Sequence, residues 1–165
     1  MALDGKLLDS YLNDHWAGST AGLELAKRAA GQNRGNEFGS FLDELVREID
    51  EDRATLREVM TAVGVGEDRV KSTAARVAER LGRLKLNGSI LSYSPLSRLV
   101  ELEGLSLGLE GKRLLWKSLA ERRDPALEQF DFPGLIARAE SQRDRVEPMR
   151  LEAAHLALDG GSGPS

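Results

Sequence analysis

The stretch RLVELEGLSLGLEGKRLLWKSL, Arg98 to Leu119, is apolar around most of its circumference when wound as a helix. A helix with one apolar stripe can lie on a protein surface, whereas one that is apolar on several sides has to be enclosed by others. It follows Ser94-Pro95, where serine can cap and proline can take the first helical position, and it is expected to end near Arg122 or Arg123. Its polar residues Glu103, Ser106, Glu110, Arg113 and Lys117 recur at spacings of 3, 4, 3 and 4 and form one narrow ridge. Gly104, Gly108 and Gly111 form a small-residue line on another face. Two readings of the ridge stand: a solvated strip, or an inward polar line reaching the core of a bundle.

Three further segments carry helical periodicity and can supply that enclosure. The first is expected from about Asp4 to Ala30-Gly31, the second from Asn36 to Val63-Gly64, and the last from Asp131-Phe132-Pro133 to Leu158, with Pro148 expected to kink it. Each is roughly 27 residues, or about 40 Å at 1.5 Å per residue. Matched lengths suit a bundle, because unequal helices leave apolar ends uncovered. The connections differ. GQNRG, Gly31 to Gly35, makes an antiparallel hairpin, and RRDPALEQFD can hold a helical turn after Asp124-Pro125. Between them Gly64 to Ser94 is long enough to cross the length of a bundle, with a helix of its own at about Asp68 to Leu86. Residues 1–158 therefore read as one all-α domain, and DGGSGPS, 159–165, as a flexible tail. Ser89 to Tyr93 is the only short strand candidate.

Composition narrows the chemistry. Among 165 residues, 41% are hydrophobic and 30% charged, a globular balance, and the 5% aromatic content leaves a core of Leu, Ala and Val. The absence of cysteine removes disulfides, thiolate nucleophiles, zinc fingers and iron–sulfur clusters. A net charge of -4 gives no general attraction to nucleic acid. No apolar run is long enough for a bilayer and the N-terminal residues are charged, so a cytoplasmic protein without membrane contact is expected.

Hairpin, long crossover, hairpin and four equal helices together resemble the ferritin-like superfamily. The resemblance implies an up-down-down-up bundle with an extra helix in the crossover. In metal-binding members it implies two metals held by a Glu from each of two helices and Glu-x-x-His from each of the other two. Here the second helix offers Glu48-Ile49-Asp50-Glu51, with Glu51 in the histidine position, and the fourth offers Glu140-Ser141-Gln142-Arg143, with an arginine there. Arginine does not deprotonate to bind a metal. Both motifs fail.

The helical wheels leave a smaller set of polar residues on apolar stripes. Asp52 falls on the stripe of Leu45, Ile49, Leu56 and Val59, with Glu48 at its edge. His15 falls on that of Leu8, Leu12, Ser19 and Leu23, and Gln142 on that of Leu135, Ala139, Val146 and Met149, while His155 points elsewhere. If the ridge faces inward as well, three anions (Asp52, Glu103, Glu110) meet two cations (Arg113, Lys117). One net negative charge does not balance two divalent ions. A salt-bridged core in place of a metal centre is the expectation, with no cofactor. Weak candidate ligands for a single iron or manganese site are His15, Glu48, Asp52, Glu103 and Glu110. His15 itself is expected to be a hydrogen-bonded core histidine, with Asp14 near the surface.

Gly18 and Gly22, with Ala17 and Ala21 alongside, are expected to let another backbone come close: the glycine line after Arg98, or a second copy in a homodimer. Glycine in a helix interior costs about 1 kcal/mol against alanine, so a packing gain should offset it. Arg69, Lys71, Arg76, Arg80, Arg83 and Lys85 make the crossover basic, which reads as a solvated face ahead of an anion site. Trp16 and Trp116 read as core or interface anchors. The expected function is that of a ferritin-like domain without an intact di-iron centre, acting by binding or assembly, with an unidentified small-molecule ligand if any. The alternative is a divergent metal-carboxylate oxidase or oxygenase using Asp52, Glu103, Glu110 and His15. A metal-dependent thiol transferase of similar topology would need three histidines, and the chain has two.

Overall fold

The computed structural model describes residues 2–67 and 93–159. They form four helices: α1 (Ala2–Gln32), α2 (Glu37–Ala62), α3 (Pro95–Ala120) and α4 (Phe132–Leu158). A 3-10 turn, Pro125–Leu127, precedes α4 at the position marked by Asp124-Pro125. No strand occurs among the described residues. The expected crossover helix with its six basic residues, the strand candidate apart from Tyr93, and residues 160–165 lie outside them.

Local chemistry sets the helix ends. Asn36 starts α2 by accepting the Phe38 N–H at 3.0 Å, and Gly35 before it adopts a positive φ of 86° to turn the hairpin. Ser94 accepts from the Ser97 N–H at 3.2 Å while the Ser97 hydroxyl accepts from the Ser94 N–H, a reciprocal capping box with Pro95 at the first position. Asp131 caps α4 through the Gly134 N–H at 3.0 Å. α3 stops at Ala120, two to three residues before the expected Arg122 or Arg123, and α4 runs on through Pro148.

Each helix packs on its neighbours through two apolar clusters. One gathers Leu23, Leu25, Ala26, Leu42, Leu45, Ile49, Leu102, Leu105, Leu109, Val146 and Ala153. The other holds Leu12, Trp16, Leu56, Val59, Met60, Leu115, Trp116, Leu119, Phe132 and Ala139. Both tryptophans are buried anchors, as expected. Burial of a single Leu or Phe side chain contributes about 1.5–3 kcal/mol, so these clusters carry the fold. Phe38 lies under the Arg98 guanidinium and Asp52 pairs with Lys112, so α2 and α3 meet in rising order. Arg28 bonds Glu101 at 2.8 Å and Leu25 lies against Gly104, so α1 and α3 meet in opposed order. No helix among the described residues is long and apolar enough to cross a membrane.

Candidate binding cavity and its charged floor

The two apolar clusters are separated by a polar layer with one residue from each helix. On α2 Asp52 lies between Ile49 and Leu56, on α3 Lys112 between Leu109 and Leu115, on α4 Gln142 between Ala139 and Val146, and on α1 Ser19 between Trp16 and Leu23. The Lys112 ammonium donates to Asp52 Oδ2 and to Gln142 Oε1. Gln142 Nε2 donates to the same Asp52 oxygen at 3.0 Å, and Arg138 reaches Asp52 Oδ1 at 3.3 Å. Asp52 is 3% exposed and Gln142 fully buried. A charge this deep is tolerable only when paired and hydrogen-bonded, and Lys112, Gln142 and Arg138 supply that pairing. Burial lowers the Lys112 pKa below the usual lysine value, and the Asp52 carboxylate opposes that shift.

Above this floor, among α1, α2 and α3, lies a cavity of about 200 Å³. Its apolar lining comes from Ile49, Leu56, Leu105, Leu109 and Leu115, and its walls include Gly18, Gly22, Gly108 and Gly111. A Cβ placed on any of these four glycines meets nothing within 4 Å. The expected close helix contact is therefore corrected: the glycines stand off from the opposite helix and leave space. Gly104 alone in that line is tight, with Leu25 Cδ2 at 3.0 Å from the added Cβ. Exposed Asp14, Gly18 and Gly108 mark the mouth.

His15 also lines the cavity and is corrected from its expected role. Half-buried, it stacks edge-on against Tyr11 at 4.6 Å and makes no hydrogen bond among the described residues. Burial lowers its pKa below the ordinary value, against the raising effect of Asp14. Arg53, on the same wall, covers Trp16 with its guanidinium 4.0 Å from the ring centroid and donates to Thr20 at 3.2 Å. The buried nitrogens Arg53 Nε and Trp116 Nε1 have no partner among the described residues.

The ridge of α3 takes neither a free solvated course nor an inward one, but forms an ion-paired seam with α4. Glu110 receives Arg113 at 2.7 Å and Arg143 at 2.6 Å, and these hydrogen bonds, Arg113 first, hold its carboxyl down at about 2. Arg113 also reaches Glu140 at 3.3 Å, while exposed Glu103 lies 3.8 Å from Arg150. Lys117 is exposed. Glu48 is clasped by Arg145 on α4. Glu48, Asp52, Glu103 and Glu110 thus have separate partners and His15 rests against Tyr11, and among the described residues no group of three or more His, Asp or Glu is placed to hold a metal. His155 pairs with Asp159 at 2.7 Å on the surface.

Lys112 is a residue of the candidate site that sequence reasoning missed. The signal was present: its heptad neighbours Leu105 and Leu119 are both core, which places it on the inner stripe rather than on the polar ridge. Comparison with known proteins finds no match: no protein-family model, curated protein or solved structure is significantly similar to this chain.

Proposed function

We propose that the chain is a ferritin-like, up-down-down-up bundle, crossing from α2 to α3 through a further helix, that lacks a di-iron centre and works by binding a small molecule. The rising order of α2–α3 contacts and the opposed order of α1–α3 contacts support the topology. The observation that carries the functional reading is the centre of the bundle, where the Lys112 ammonium sits between Asp52 and Gln142 beneath an open cavity. The donor set does not fit a metal pair: the two histidine positions of the family motif hold Glu51 and Arg143, Arg143 is bonded to Glu110, and Glu48 to Arg145. What remains is an apolar pocket with a few polar groups in its lining, the usual make-up of a ligand site.

Two measurements test this. Protein grown with iron, manganese and zinc available should carry far less than one equivalent of metal and melt unchanged in chelator. Stoichiometric metal lost on Asp52→Ala or Glu110→Ala would sink the reading in favour of a divergent metal-carboxylate oxidase. Benzene, a neutral probe, should raise the melting temperature of the wild type and have no effect on Gly111→Leu, whose side chain fills the open space. A homodimer is the assembly we propose, through exposed Leu107 and Leu114, one heptad apart on α3. Light scattering giving a monomer mass would remove it.

A further inference from the structure

Resting on the binding reading above, we infer that the cavity takes a small carboxylic acid with an apolar body, its carboxylate held by Lys112, Arg53 and Trp116. The unpaired buried polar atoms on the cavity-lining residues are all donors. Trp116 is 1% exposed and its indole N–H has no partner among the described residues; Arg53 Nε–H is in the same position. Lys112 carries three N–H groups, of which two are used, on Asp52 and Gln142. Leaving a buried donor unmade is costly, and the group that relieves it must be an acceptor.

None of the acceptors in the wall reaches these donors among the described residues. Asp52 receives Lys112 and Gln142 on one oxygen and Arg138 on the other. The Ser19 hydroxyl is turned to the Trp16 carbonyl at 2.7 Å. Charge points the same way. Of the charged residues that line the cavity below its mouth, Lys112 and Arg53 stand against Asp52 alone, while Arg138, which also reaches Asp52, is shared with Glu51 at 2.5 Å. Asp14 lies out at the exposed mouth, where it opposes a second negative charge and favours a monoacid. The body of the ligand is set by Ile49, Leu56, Leu105, Leu109 and Leu115. An apolar cavity of about 150 Å³ accepts benzene, so one of about 200 Å³ accepts a phenyl ring or a chain of comparable bulk together with a head group.

The test compares matched probes on the full chain by calorimetric titration: benzoate against benzyl alcohol and benzylamine, and hexanoate against hexanol and hexylamine. Each acid should bind at least tenfold more tightly than its alcohol, and the amines should not bind. Trp116→Phe and Arg53→Met should each weaken the acid several-fold and the alcohol, a neutral acceptor, by less. Gly111→Leu should abolish both while its melting temperature is not lowered. Equal affinity for acid and alcohol, or preference for the amine, overturns the carboxylate assignment and leaves the cavity as a binding site. No binding of acid, alcohol or benzene overturns the binding reading as well. Acid binding that survives Gly111→Leu places the acid elsewhere and overturns the inference.

Discussion

Asp52 is approached by three donors from two other helices, and the geometry fixes what its loss or Lys112's loss should do. Lys112→Met keeps the stem of the side chain and strands the carboxylate, so denaturant unfolding should show a loss of about 3 kcal/mol, the lower part of the range for a broken buried pair. Asp52→Leu combined with Lys112→Met removes both charges. The double variant should recover most of that loss, and strict additivity would show that the two do not act as a pair. His15 makes a pH prediction at the same scale. Its folded pKa lies below the unfolded value, so the neutral form is preferred in the fold: stability is fully present above about 6.5 and declines as pH falls through that value. His15→Gln should flatten this part of a stability–pH profile, and an unchanged profile would remove the assignment. Asp52 and Gln142 were legible from their places on apolar stripes. The environment of His15 was not, because a wheel reports which side a residue faces and is silent on how far the opposite helix stands away.

At the scale of the helix, the glycines divide by what surrounds them. Gly18, Gly22, Gly108 and Gly111 have open space where a Cβ would go, so each change to alanine should stabilise by up to about 1 kcal/mol through helix propensity alone. Were they close-contact residues, the same changes would destabilise, and thermal melts decide between the two. Gly39 is the contrast: a Cβ there lies 2.4 Å from the Asn33 carbonyl oxygen, which is backbone and cannot swing away. Gly39→Ala should destabilise by more than about 1 kcal/mol. That corner also holds buried Asn33, whose amide donates to the Tyr93 hydroxyl at 2.8 Å, while Tyr93 donates to Glu101 at 2.8 Å and Arg98 donates to Asn33 at 2.6 Å. Burial, with the Glu101 carboxylate beside it, pushes the Tyr93 phenol up to about 12. Helix ends were readable in sequence wherever a side chain caps its own backbone, as at Asn36, Ser94 and Asp131. The purpose of the glycine lines was not, since small residues at helical spacing serve contact and cavity equally.

For the whole molecule, the arginine–glutamate seam between α3 and α4 and the outer pairs sets the acid limit. Glu110 is held at about 2 by Arg113 and Arg143, and Glu51 and Glu147 are lowered by their arginine partners. These depressed carboxylates contribute stability that is present above about 4.3 and is lost as pH falls toward 2. Glu110→Gln should shrink that acid step, and half-molar salt should shrink it further, because exposed pairs are screened. An acid step indifferent to both would place its origin elsewhere. The all-α architecture followed from four equal periodic segments, and the pairing of the ridge with α4 did not, because long charged side chains choose partners only once helices are side by side. The polar layer has one more effect, on alignment. Seven residues before and after each of its members stands an apolar residue: Leu12 and Ala26 about Ser19, Leu45 and Val59 about Asp52, Leu105 and Leu119 about Lys112, Leu135 and Met149 about Gln142. A leucine-rich α3 could otherwise slide two turns along its neighbours and find an equally greasy berth. Any such slip sets Asp52 against leucine and buries Lys112 without a carboxylate, so the charged rung acts as a detent on the register.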